Sequence, residues 1–169
     1  MPGFSESNIT LDFPDTLFFR WADCEGYRRQ SSNHFKEMDA CWYETAQNRY
    51  WLIELKDYSL GVLTEDKTIE AKSWELVKKA IDSFCMFLSI KHQYPYAPAL
   101  DPCVPIAPRP DTVFQLLTII RCTASQKPHI QLLHEKFRAK FKPYAELFGI
   151  QYYAVVEYSK AVEKLPFVR

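Results

Sequence analysis

Glycine is scarce: four residues in 169, at positions 3, 26, 61 and 149, and no two of them form a Gly-rich phosphate loop. That argues against a nucleotide-hydrolysing motor or a dinucleotide enzyme, whose phosphate cradles need closely spaced glycines. No apolar stretch is long enough to span a bilayer, and the amino terminus lacks a basic region leading into an apolar run. A reducing, cytoplasmic setting without membrane contact is therefore expected. The five cysteines, at 24, 41, 85, 103 and 122, contain no Cys-x-x-Cys pair and leave one over in any full pairing, so neither structural zinc nor a disulfide framework is expected. Neither sign of charge is in excess, since 21 Lys and Arg balance 21 Asp and Glu. This gives no support to a general nucleic-acid binder, and any phosphate-contacting surface has to come from local clustering.

With 47% hydrophobic and 15% aromatic residues, the chain is rich enough to bury a full core, and its length suits one domain over residues 1–169. Residues 1–14 read as an irregular arm ending at Pro14. The aromatic segment 16–21 reads as a first strand, and the polar stretch 23–34, with Gly26, as a loop. Ile69, Trp74, Val77, Ala80, Ile81, Phe84 and Leu88 recur at helical spacing and predict a long helix over about 67–91, laid on the apolar face of the sheet near Trp42 and Trp51. Residues 94–110 hold six of the eleven prolines and read as an extended connector, neither helix nor central strand. Residues 113–122 form a nearly continuous apolar run rich in branched side chains, the pattern of a strand buried on both faces. Pro128 opens a second helix that closes at Gly149; a last strand over 150–158 and a tail over 160–169 follow.

The most informative stretch lies between these elements. Residues 36–43 and 50–56 alternate polar and apolar side chains on either side of a short polar connector, which predicts a β-hairpin. A turn centred between Ala46 and Gln47 sets Tyr43 opposite Tyr50, Cys41 opposite Leu52, Asp39 opposite Glu54 and Glu37 opposite Lys56. One face then carries Met38, Ala40, Trp42, Trp51, Ile53 and Leu55 and belongs in the core. The other carries Asp39, Glu54 and Lys56. Two carboxylates facing each other across a hairpin repel. A hard divalent cation held by oxygen ligands would neutralise them, and Lys56, two residues along the strand, would be placed to hold a water or a phosphate. A solvated charge network on a surface hairpin is the alternative use of the same residues.

Asp39, then Glu54-Leu55-Lys56 on the next strand of a hairpin, resembles the PD-(D/E)xK nuclease superfamily. The resemblance implies a restriction-endonuclease-like α/β fold: a mixed sheet in which an antiparallel three-strand meander is followed by helix, strand, helix and strand. It implies that Asp39, Glu54 and the Leu55 carbonyl ligate Mg²⁺ or Mn²⁺, that Lys56 is catalytic, and that the activity is metal-dependent hydrolysis of DNA or RNA. Members often carry a Glu on a helix before the first strand, for which Glu6 is the candidate here; Met38 stands where some members have Pro. A catalytically silent module that binds nucleic acid or a protein partner is the alternative, and a homodimer or larger complex is compatible with either.

His134, Arg138 and Lys142 recur at four-residue spacing on the second helix, with Lys136 and Lys140 close by, and form the candidate phosphate-contacting stripe. A solvated helix face is the other reading of that stripe. His34, Ser31, Ser32 and Cys41 lie near the hairpin, but no Gly-x-Ser-x-Gly turn or Cys/His arrangement marks a nucleophile.

Overall fold

The computed structural model describes residues 3–61 and 65–169. Its centre is a five-stranded mixed sheet formed by β3 (Phe18–Phe19), β4 (Ala40–Glu44), β5 (Arg49–Asp57), β6 (Val113–Arg121) and β7 (Tyr152–Glu157), in that spatial order. β3, β4 and β5 pair antiparallel, whereas β5, β6 and β7 pair parallel. Parallel neighbours need a crossover, and helices α2 (Asp66–Lys91) and α4 (Lys127–Phe148) supply the two.

The β4–β5 hairpin has the expected register. Cys41 faces Leu52, Trp42 faces Trp51 and Tyr43 faces Tyr50, around a 3-10 turn at Thr45–Gln47. Asn48 closes that turn in the left-handed region, which its short polar side chain tolerates. β6 runs from Val113 to Arg121 and is buried on both faces over most of its length, as its unbroken apolar run requires. α4 ends where Gly149 turns left-handed, at φ 69°.

The layers differ from the expectation in one consequential way. The helix α2 does not cover the face of Trp42 and Trp51. With α4 it covers the opposite face, packing Ile69, Leu76, Val77, Phe84 and Phe87 against Cys41, Tyr43, Tyr50 and Leu52. The face of Ala40, Trp42, Trp51, Ile53 and Leu55 is instead sealed by the two chain ends. The arm expected at 1–14 is a hairpin, β1 (Gly3–Glu6) paired with β2 (Ile9–Asp12), turning at Ser7 and Asn8 with positive φ. It buries Phe4, Ile9 and Leu11, and Phe13 beyond it stacks with Phe18 and Phe167. The tail contributes a further helix, α5 (Tyr158–Lys164), and Val168 bridges to Leu11. Short segments with few apolar positions give little periodicity, so both ends escape a pattern reading.

Two loop assignments also change. The 23–34 loop contains α1 (Glu25–Ser31), and the proline-rich connector contains α3 (Ala97–Leu100) followed by a 3-10 turn at Asp101–Cys103. Proline is excluded from helix interiors but suits a first turn, where its missing N–H would be unpaired anyway, and Pro98 and Pro102 stand there. A Cys24–Cys103 disulfide, with Cα atoms 5.5 Å apart, ties the residue before α1 to the 3-10 turn after α3. The two cysteines are 79 residues apart in sequence, which no local spacing rule detects. Cys41, Cys85 and Cys122 are free. Such a bridge persists in oxidising surroundings. It corrects the expectation, drawn from cysteine spacing, that the chain holds no disulfide. Among the described residues no helix is long and apolar enough to cross a membrane.

Candidate active site

Asp39 is the residue immediately before β4 and arrives at the level of Glu54 because the segment leading to it is gripped by α2. The Lys36 N–H donates to Asp82 Oδ2 at 2.9 Å and the Met38 N–H to Ser83 Oγ at 2.8 Å. On the other side Arg20 Nε donates to the Asp39 carbonyl at 3.3 Å. The Asp39 carboxylate then accepts the Leu55 N–H through Oδ2 at 2.8 Å. A side chain thus takes over the strand pairing where β4 has not yet begun.

Glu54 and Lys56 point from β5 to the same side, and α2 adds a residue that the sequence reading passed over. Lys56 Nζ lies 2.5 Å from Glu54 Oε1, and Lys79 Nζ lies 2.6 Å from the same oxygen and 3.6 Å from Asp39 Oδ1. Two carboxylates and two ammonium groups make a neutral cluster. The charge that an ion was expected to supply is therefore already present in the polypeptide. Lys79 falls between the apolar positions of α2, and a helix laid on the face of Trp42 and Trp51 would keep it away from Glu54. Its signal was the four-residue step to Ser83, which faces the same strands.

The cluster is enclosed. Glu54 is 0% exposed, and the side chains of Asp39, Lys79 and Lys56 are 10%, 15% and 21% exposed. Burial, reinforced by the Asp39 charge, pushes the Glu54 carboxyl up to about 7 against the pull of both lysines. Burial alone would pull Lys56 down, but Glu54 and Asp39 hold its ammonium above the usual range. Glu6, at the end of β1 rather than on a helix, pairs with Arg20 at 3.6 Å, and burial followed by the Asp39 charge raises its carboxyl.

Among the described residues no three His, Cys, Asp or Glu side chains gather as a metal-ligand set. The oxygen donors at this cluster nonetheless suit a hard cation that keeps several waters. Among the described residues, Glu54 Oε2 is buried without a hydrogen-bond partner and Asp39 Oδ1 has the 3.6 Å contact to Lys79 alone. The Leu55 carbonyl accepts the Ser7 hydroxyl at 3.2 Å and retains a second lone pair.

The candidate stripe on α4 is largely engaged within the protein. β7 is an edge strand, and α4 covers its outer polar groups: the Val155 N–H donates to His134 Nδ1 at 3.1 Å, and Arg138 donates to the Tyr153 carbonyl at 3.3 Å while lying over its ring. Lys136 and Lys140 both pair with Glu70, at 3.1 and 2.8 Å, and Lys142 with Glu146 at 3.6 Å. Because His134 accepts at Nδ1, it is held neutral; burial and then the Arg138 charge lower its pKa from 6.5. Below that value the unfolded chain binds a proton that the folded one resists, so stability present above pH 6.5 is lost as pH falls. Urea denaturation at pH 7.5 and 5.5 should show this loss, and His134→Gln should reduce it; an equal loss in the variant would assign it to other groups.

The remaining candidates carry no chemistry. The Ser31 and Ser32 hydroxyls are spent on the Arg28 and Arg29 carbonyls, and His34 is exposed at a positive-φ turn. Cys41 is fully buried, which pushes its thiol far above the range of a nucleophile.

A cleft of about 560 Å³ lies between α1, α3 and β3 and is lined by Arg20, Asp23, Glu25 and Arg29 but not by Asp39, Glu54 or Lys56. Arg20 links the two regions through its bond to the Asp39 carbonyl. The carboxylates give the better guide to chemistry, since the cleft holds no comparable convergence of buried charge. Comparison with protein-family models, curated proteins and solved structures finds no match for this chain.

Proposed function

We propose that the chain is a metal-dependent nuclease whose site is Asp39, Glu54 and Lys56. The convergence of Asp39, Glu54 and Lys56 around a buried, half-partnered carboxylate carries this reading. The topology supports it: three antiparallel strands feed helix, strand, helix and strand in one mixed sheet, the order implied by the PD-(D/E)xK resemblance.

Asp39 Oδ1, Glu54 Oε2 and the Leu55 carbonyl are the atoms that would hold Mg²⁺ or Mn²⁺. When bound, the ion would polarise the scissile phosphate and acidify a coordinated water. The chain does the rest. The Leu55 N–H fixes one Asp39 oxygen, leaving the other for the site. Glu54 anchors Lys56 at its carboxylate, and the partial exposure of Lys56 lets its ammonium meet a phosphate oxygen or a water at the rim. Low solvent access around the four charges strengthens each of these interactions.

Lys136 and Lys142 are the proposed phosphate contacts on α4, Lys142 being the more exposed, whereas Lys140 pairs with Glu70 and Arg138 and His134 bond to β7. In the assay that tests this, Asp39→Asn and Lys56→Ala are compared with wild type for cleavage in Mg²⁺ or Mn²⁺ and for fluorescence anisotropy of labelled DNA and RNA in EDTA. Lys56→Ala should lower turnover about a hundredfold with little change in binding. Lys136→Glu with Lys142→Glu should weaken binding on all sequences and flatten its salt dependence. Unchanged cleavage in both site variants would remove the reading. A catalytically silent binding module is favoured by one observation: the cluster is already neutral and enclosed without any ion.

A further inference from the structure

Resting on the metal-site reading above, we propose that Lys79 is the site's internal counter-ion, and that its ammonium is exchanged for the divalent cation when the site loads. Three observations lead there. Lys79 Nζ reaches both carboxylates, at 2.6 Å from Glu54 and 3.6 Å from Asp39, so it stands between the groups that would share an ion. Lys56, by contrast, meets Glu54 alone, among the described ion pairs. The second Glu54 oxygen is buried and unpartnered, so a donor remains ready on the carboxylate that Lys79 already holds.

Charge decides the rest. Asp39 and Glu54 balance Lys56 and Lys79, and a dication added to that neutral group would leave two uncompensated positive charges in an enclosed place. Like charges a few ångströms apart repel strongly where solvent is excluded. Withdrawal of one ammonium relieves half of that excess, and Lys79 is the lysine placed to withdraw. Two groups near it could share that ammonium. Glu75 lies one helical turn earlier on α2; it pairs with Lys72 at 2.7 Å, and its charge also reaches Lys56 and Lys79. Among the described residues, the Tyr58 hydroxyl is buried without a hydrogen-bond partner, and it lies within the electrostatic reach of Lys79, Glu75 and Glu54. Lys79 is thus a positioning residue that keeps the carboxylate pair folded and closed before metal arrives, at the expense of metal affinity.

The test is calorimetric titration of the whole protein with MnCl₂. Lys79→Gln should bind Mn²⁺ at least about tenfold more tightly than wild type, because the competing charge is gone. The same variant should have a lower unfolding midpoint in EDTA, and Lys79→Arg should bind as weakly as wild type. A purely structural role predicts the opposite for affinity, since a loosened site binds less well. Equal or weaker binding by Lys79→Gln therefore overturns the proposal, as does absence of binding in both proteins. Should Lys79→Gln fail to fold, wild type decides: acetic anhydride labelling of Lys79, read by mass spectrometry, should rise in saturating MnCl₂ relative to EDTA, and unchanged labelling overturns the exchange. A protein that shows the affinity gain but cuts no nucleic acid would sink the nuclease reading and leave this one standing.

Discussion

Glu54→Ala is expected to lose about 2–4 kcal/mol of stability along with all metal-dependent activity, because it strands two lysines against Asp39 alone in an enclosed site. The estimate sits toward the low end for a broken buried pair, since both lysines retain some exposure and can turn partly toward water. Glu54→Gln should cost less, because an amide of the same shape still accepts from Lys56 and Lys79 while removing the desolvated charge. The consequence for interpretation is direct. Loss of activity in Glu54→Ala says little about chemistry, whereas loss in a folded Glu54→Gln does. Chemical denaturation of the three proteins at pH 7.5 checks the order wild type, then Gln, then Ala. A Glu54→Ala variant as stable as wild type would show that the cluster contributes nothing to the fold.

The second large effect is expected at the disulfide. Cys24→Ser, or reduction of the wild type, should lower stability by roughly 2–4 kcal/mol, the range for a bridge closing a long loop. Here the closed segment spans 79 residues. The native contact between α1 and α3 does not depend on the bond alone: the Tyr96 hydroxyl donates to the Gly26 carbonyl at 2.8 Å. A side chain at Gly26 would also come within 2.1 Å of the Ala99 carbonyl, so the two backbones are already in close contact. The loss should therefore come mainly from the freed unfolded chain, with the folded structure retained. Denaturation midpoints with and without dithiothreitol measure it. Coincident midpoints would mean that the bridge is absent from the protein in solution.

How much of this was legible in the sequence follows from which interactions are local. The hairpin register was readable because period-two alternation on both sides of a short connector leaves one turn position, and every side chain of β4 and β5 follows from it. β6, α2 and α4 were readable from unbroken or helical apolar spacing. The side of the sheet that α2 takes was not. Both faces of β4 and β5 are buried, so polarity could not say which face receives the helix and which receives the chain ends. That ambiguity hid Lys79. Asp39, Glu54 and Lys56 could be placed together because all three belong to one hairpin, whereas their fourth partner, 23 residues beyond Lys56, comes from a helix. The same limit explains the α4 stripe. Its spacing was visible, but the edge strand that uses His134 and Arg138 lies on another element.

The proposed role of this buried carboxylate pair is phosphodiester hydrolysis. It is tested most directly by incubating wild type and folded Glu54→Gln with single-stranded, duplex and branched DNA and with RNA, in Mg²⁺, Mn²⁺ or EDTA, and following the products on denaturing gels. The wild type should cleave in at least one metal and not in EDTA, and Glu54→Gln should not cleave under any condition. Cleavage that persists in Glu54→Gln, or a wild type inert on every substrate in both metals, would contradict it.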